Sequence, residues 1–119
     1  MLYSIAQWRI HKEDSKKHLE MWQQILQEQK DHSEKFFYSR SWILQLAEKE
    51  ADPTEETWMN IDEYEGREAY DKMMKAIKED PEVKRFEAKW RSVSDPMRVP
   101  GSLKVELWTE RVKVELTKR

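Results

Sequence analysis

The chain has 119 residues, 39% of them charged, with a net charge of only −2. That length suits one compact domain over residues 1–119, and the alternation of acidic with basic residues gives no support for a nucleic-acid-binding face. The absence of cysteine excludes disulfides, thiolate nucleophiles and thiolate metal sites, and no apolar run approaches the roughly 20 residues needed to cross a bilayer.

LYSIAQWRI, residues 2–10, is rich in β-branched and aromatic residues and predicts a first strand. The stretch up to Asp14 lacks the basic-then-apolar order of a signal peptide, so a cytoplasmic location is expected, with no membrane partner. Asp14 or Ser15 is placed to cap a helix. Its apolar face is Leu19, Trp22, Ile25 and Leu26, and it should fade between Asp31 and Lys35. Residues 39–48 and 57–65 predict second and third strands, joined through a polar turn containing Pro53 as an antiparallel hairpin. A second helical region starts near Gly66 with Ala69, Tyr70, Met73, Met74 and Ile77 on one face. It breaks at Asp80-Pro81 and resumes with Val83, Phe86 and Trp90. After the loop at residues 95–101 comes a last strand.

That strand contains KVEL twice, at residues 104–107 and 113–116. The copies are nine positions apart, an odd number, so in a straight strand they present opposite faces unless a bulge near Thr109 to Arg111 restores the phase. The expectation is one extended or bulged strand whose second half, RVKVEL, serves a dimer. Six Trp, four Tyr and three Phe mark a folded domain. Scarce Gly and a single Asn, with abundant Lys and Glu, resemble a thermophile's composition.

The order β-α-β-β-α-β predicts an α+β, ferredoxin-like fold: a four-stranded antiparallel sheet with the helices on one face. Strand alternation then assigns faces. Leu103, Val105 and Leu107, with Met59 and Ile61 and with Trp42, Leu44 and Leu46, are expected against the helices. Gln7, Arg9, Ser41, Ile43, Gln45, Trp58, Asn60, Asp62, Tyr64, Lys104, Glu106 and Trp108 are expected on the open face. Bare Trp58 and Trp108 on a water-facing sheet would be costly, at about 25 cal/mol per Å². A homodimer with the two sheets facing each other as a barrel is therefore predicted.

The segment IDEYEGREAYDKMMKAIKEDPEVKRFEAKW, residues 61–90, together with the element order, resembles the dimeric α/β-barrel superfamily. That group includes antibiotic-biosynthesis-type monooxygenases, haem-degrading monooxygenases, stress-responsive barrel proteins and NIPSNAP-like proteins. The shared cues are the acidic-aromatic end of the third strand, the EA-aromatic start of the helix and the DPE break. Haem-degrading members resemble one another in an Asn on the first strand, a Trp on the second helix and a later His. Gln7, Met73 and Glu87 stand at those places here. Cofactor-free monooxygenase relatives carry an aromatic, commonly Trp, just after the third strand, for which Tyr64 is the nearest match.

Of the histidines, His11 and His18 lack the helical i, i+4 spacing of a metal pair. His18 sits one turn before Trp22 and reads as a boundary histidine, with a general-base or haem-ligand role as the alternative. The tryptophans read as core or interface, or as the walls of a flat-ligand pocket. Gln7, Asn60, Asp62 and Glu106 form a polar set that, with Trp58, Tyr64 and Trp108, would suit an aromatic or quinone-like ligand. The set either does that, pairs across the dimer, or sits at its rim in water. No Gly-rich phosphate loop or nucleophile elbow is present, and no metal or other cofactor is expected. The leading expectation is a dimeric barrel protein that binds a small hydrophobic or aromatic molecule, between sheet and helices or inside the barrel. The alternatives are a cofactor-independent monooxygenase acting on a phenol or quinol and, less favoured, a haem-binding or haem-degrading protein using His18 or His11.

Overall fold

A computed structural model describes residues 1–117. Its strands are β1 (Leu2–His11), β2 (Arg40–Gln45), β3 (Glu55–Tyr64) and β4 (Lys104–Thr109), and its helices are α1 (Ser15–Asp31), α2 (Arg67–Glu79) and α3 (Pro81–Ser94). All four strands form one antiparallel sheet in the order β2-β3-β1-β4, as the ferredoxin-like reading requires. The helices cover one face, where Met21 and Ile25 of α1, Met73 of α2 and Val83 and Trp90 of α3 bury against Leu2 and Tyr64.

Local chemistry explains the boundaries. Asp80 caps α3, its carboxylate accepting from the backbone N–H of Glu82 and Val83 at 2.9 and 3.4 Å, with Pro81 in the first turn. Replacing Asp80 by Ala should cost about 1 kcal/mol of stability, read from the midpoint of chemical unfolding. At α1 the side chains of Asp14 and Ser15 make no cap; a 3-10 turn over Lys12–Asp14 leads into the helix instead. The inward face of α1 is rotated from the predicted one, with His18 and Met21 buried and Leu19 turned to solvent. Before β4, Pro100 and Gly101 (φ 76°) form a turn in which the N–H of Ser102 donates to the carbonyl of Val99.

The cross-strand register corrects the predicted faces of β2 and β3. Trp58 lies opposite Trp8, Asn60 opposite Ala6, Asp62 opposite Ser4 and Tyr64 opposite Leu2. Leu2, Trp8, Trp58 and Tyr64 are all buried, so this whole row faces the helices. Ser41 and Ile43 of β2 share that side, and Trp42 and Leu44 do not. The open face instead carries Ile5, Trp42, Leu44, Met59 and Ile61, with Gln7, Arg9, Glu106 and Trp108 where they were expected. The inversion has a simple cause. Both faces of the sheet are apolar, so placing aliphatic residues inward does not decide between them.

The predicted thirteen-residue last strand is also corrected. β4 ends at Thr109, which lies opposite Leu2, the first residue of β1, so no ladder partner remains beyond it. The Glu110 N–H donates to the Met1 carbonyl, and the Tyr3 hydroxyl donates to its carboxylate at 2.8 Å. Residues 111–117 then run free of regular structure, with Val112, Val114 and Leu116 exposed.

Candidate functional site

Between the helix-covered face of the sheet and α1, α2 and α3 lies a cavity of about 480 Å³. Its floor is Ser4, Ala6, Asn60 and Asp62, and its walls include Trp8, Trp22, Tyr38, Tyr64 and Trp90. Three carboxyl residues line it: Asp62 near the end of β3, Glu87 from α3, with Arg91 one turn beyond on the same helix, and Asp95 just past α3, which is paired with Arg98.

A relay holds Asp62. The Asn60 amide donates to the Ser41 hydroxyl at 3.2 Å and to the Trp42 carbonyl at 3.3 Å, and the Ser41 hydroxyl donates to Asp62 Oδ1 at 2.6 Å. Burial pushes the Asp62 carboxyl up to about 6; hydrogen bonds from Ser41 and Asn60 oppose the rise and the Glu87 charge adds to it. Glu87 is likewise raised by burial, and Arg91 holds it down in part. The Tyr38 phenol is pushed well above its ordinary range by burial and by Asp62, and Tyr64 is raised in the same way. At neutral pH the floor therefore presents an ionised carboxylate among neutral phenols and indoles, which is the environment of a proton acceptor.

A second buried group lies beside the cavity. Trp8 Nε1 donates to His18 Nε2 at 3.0 Å, so the neutral imidazole carries its proton on Nδ1. The His18 ring meets Trp58 edge to face at 4.5 Å, and Trp8 stacks on Trp22 at 5.4 Å. With 1% exposure, His18 is held down to about 4 by burial, against the pull of Glu56 and Asp14. It is a core histidine rather than a boundary one, and it does not line the cavity.

The predicted site residues thus divide into three groups. Asn60, Asp62 and Tyr64 converge on the cavity, on the helix side of the sheet and not between two sheets. His18 and Trp58 pack in the neighbouring core. Gln7, Glu106 and Trp108 lie on the open face, away from the cavity. Tyr38 and Glu87 were missed as site residues. Glu87 had a legible signal: it falls on the inward stripe Val83, Glu87, Trp90, Ser94, where a carboxylate is out of place. Among the described residues, no three His, Asp or Glu side chains are grouped to hold a metal ion. No helix among them is long and apolar enough to cross a membrane.

No family model matches the chain, and no curated protein sequence does. Solved structures do. An antibiotic biosynthesis monooxygenase superposes with a TM-score of 0.56 at 16% identity, over 94% of this chain and 100% of that one. An uncharacterised NIPSNAP domain protein from Burkholderia xenovorans gives 0.58 at 12% identity, over 97% and 99%. SnoaB, a cofactor-independent oxygenase from Streptomyces nogalater, gives 0.52 at 9% identity, over 95% of each chain. The chain has the ferredoxin-like fold that these proteins share, and at such identities the likeness is one of fold.

Proposed function

We propose that the cavity between helices and sheet binds a planar hydroxylated aromatic and that Asp62 takes the proton of its hydroxyl group. The observation that carries this reading is the Ser41-held Asp62 carboxylate on the floor of an aromatic-walled cavity. Indole and phenol rings offer flat apolar surface to the ring system, and a carboxyl at about 6 is ionised at neutral pH yet basic enough to accept a proton. Proton loss makes a phenol electron-rich and able to react with dioxygen. A phenol with a free para position can take one oxygen atom as a quinone carbonyl and release the other as water, a balance that needs no external reductant. That SnoaB, of the same fold, is a cofactor-independent oxygenase supports this direction.

The test is oxygen uptake with a panel of polyphenols, with quinone formation followed by absorbance. Wild type should consume one dioxygen per phenol. Asn60→Ala and Asp62→Ala should slow it by about a hundredfold or more. Rates unchanged in both variants would show that the assigned residues are wrong.

A second copy of the chain is the partner this reading calls for. The open face carries Ile5, Trp42, Leu44, Met59 and Ile61, with Trp108 54% exposed. Its buried carboxylate, Glu63, is already satisfied by Arg40 at 3.0 Å and by Ser39, so covering the face strands no charge. Analytical ultracentrifugation at micromolar concentration should find a dimer, and a monomer would refute it.

A further inference from the structure

We infer that Glu87 is a second catalytic acid–base group, facing Asp62 across the cavity and handling the ring hydrogen and the peroxide while Asp62 handles the hydroxyl. The inference rests on the reading proposed above and extends it to the step that Asp62 by itself leaves open. Asp62 belongs to the sheet floor, and Glu87 comes from α3 on the helical wall. The two other carboxyls that line the cavity are occupied: Asp62 accepts from the Ser41 hydroxyl, and Asp95 is paired with Arg98. Glu28, which meets the wall at Trp90, is occupied as well, accepting from Lys89 at 2.6 Å and from Trp90 Nε1 at 2.8 Å. Glu87 has no hydrogen bond and no ion pair among the described residues; burial pushes it up, and the charge of Arg91 pulls it down. An inward carboxyl with nothing to bind is costly to keep and asks for a reason.

The chemistry supplies that reason. Oxidation of a phenol to a quinone removes two hydrogens from opposite ends of one ring: the hydroxyl proton and the hydrogen on the para carbon. One carboxyl cannot sit at both ends. Two carboxyls on opposite walls can, with the ring between them. The charge of Glu87 acts on Asp62, Tyr38 and Tyr64, so it bears on the same space as the floor carboxylate.

The steps then close. Asp62 takes the hydroxyl proton. The phenolate gives an electron pair to dioxygen, and a carbon–oxygen bond forms at the para carbon. Protonated Glu87 gives its proton to the outer oxygen, leaving a hydroperoxide on that carbon. The Glu87 carboxylate next takes the hydrogen of the same carbon as a proton. The freed pair becomes the second bond of the new carbonyl, the oxygen–oxygen bond breaks, and hydroxide leaves with its electrons. Asp62 returns its proton to the hydroxide, giving water, and both carboxyls end as they began. One phenol and one dioxygen give one quinone and one water. Burial, which favours the neutral acid, suits a group that must first give a proton and then take one.

Glu87→Gln tests this on the full chain with 1-naphthol, whose para position is free, and with 1-naphthol deuterated at that carbon. The amide keeps the size of the side chain and can neither give nor take the proton. Binding of 1-naphthol, followed by indole quenching, should stay within about twofold of wild type, while formation of 1,4-naphthoquinone should fall about a hundredfold or more. Oxygen uptake should then run ahead of quinone formation, with the hydroperoxide titrated by iodide. The deuterium effect on quinone formation should exceed that of wild type, because loss of the ring hydrogen has become the slow step. Glu87→Asp, which keeps the acid, should recover part of the lost rate. In Asp62→Asn oxygen uptake and quinone formation should fall together, since the block comes before dioxygen reacts. Quinone formation at the wild-type rate in Glu87→Gln would overturn the role of Glu87 and leave that of Asp62 standing. So would a slowed variant in which oxygen uptake and quinone stay matched and the deuterium effect is unchanged. A wild type that binds 1-naphthol and takes up no oxygen would overturn the role of Glu87 and leave only the binding, and a wild type that does neither would overturn both.

Discussion

Asp62→Asn should make the protein more stable while removing its function. Burial raises this carboxyl to about 6 in the folded chain, against 3.8 ordinarily. Between those pH values the folded state holds a proton that the unfolded state has lost, so stability falls as pH rises through that window. The cost is fully present above pH 6 and is on the order of 2–3 kcal/mol. An amide has no charge to desolvate, and its oxygen still accepts from Ser41. The variant should therefore melt roughly 5–10 °C higher than wild type near pH 8 and show no such advantage below pH 4. Oxygen uptake, or binding of a hydroxylated aromatic, should be lost in the same sample. Stability gained where activity is lost is the mark of a residue kept for chemistry.

His18 should impose the opposite slope. Its imidazole is held down to about 4 in the fold, against 6.5 ordinarily. As pH falls from about 6.5 to about 4, the unfolded chain takes up a proton that the folded chain refuses, and stability is lost, on the order of 3 kcal/mol in full. Between pH 4 and 6 the His18 and Asp62 contributions run against each other, so wild type should vary little across that range from these two groups. Each substitution unmasks the other. His18→Gln, which keeps an acceptor for Trp8, should leave stability falling as pH rises from 4 to 6. Asp62→Asn should leave it rising over the same range. Urea midpoints across that range decide the matter, and parallel curves for wild type and both variants would remove the account of both groups.

The element order was legible because its clearest breaks rest on local chemistry: Asp80 and Pro81 start α3, and the β2–β3 hairpin closes around a polar turn. Asn60, Asp62 and Tyr64 were legible as a polar-aromatic set because alternation on β3 places them in one row whichever face that row takes. Which face it takes was not legible. Met59 and Ile61 on one row and Trp58 and Tyr64 on the other are both apolar enough to be buried, and only pairing with Leu2 and Trp8 of β1 decides. Tyr38 and Glu87 come from separate elements, a connecting segment and α3, and meet Asp62 only through tertiary packing. The doubled KVEL was visible at once, but the end of β4 at Thr109 depends on where β1 begins, a long-range fact.

The central claim is that Asp62, on the helix side of the sheet, receives the hydroxyl of an aromatic ligand. Titration of wild type and Asp62→Asn with 2-naphthol at pH 7, followed by quenching of the Trp8, Trp22 and Trp90 indoles that wall the cavity, tests it most directly, with 2-methoxynaphthalene as the control lacking the proton. The account predicts saturable one-to-one binding of 2-naphthol to wild type, weakened about tenfold or more in the variant, and no difference between the two proteins for the methoxy compound. Equal binding of 2-naphthol by both proteins, or no saturable binding by wild type, would contradict it.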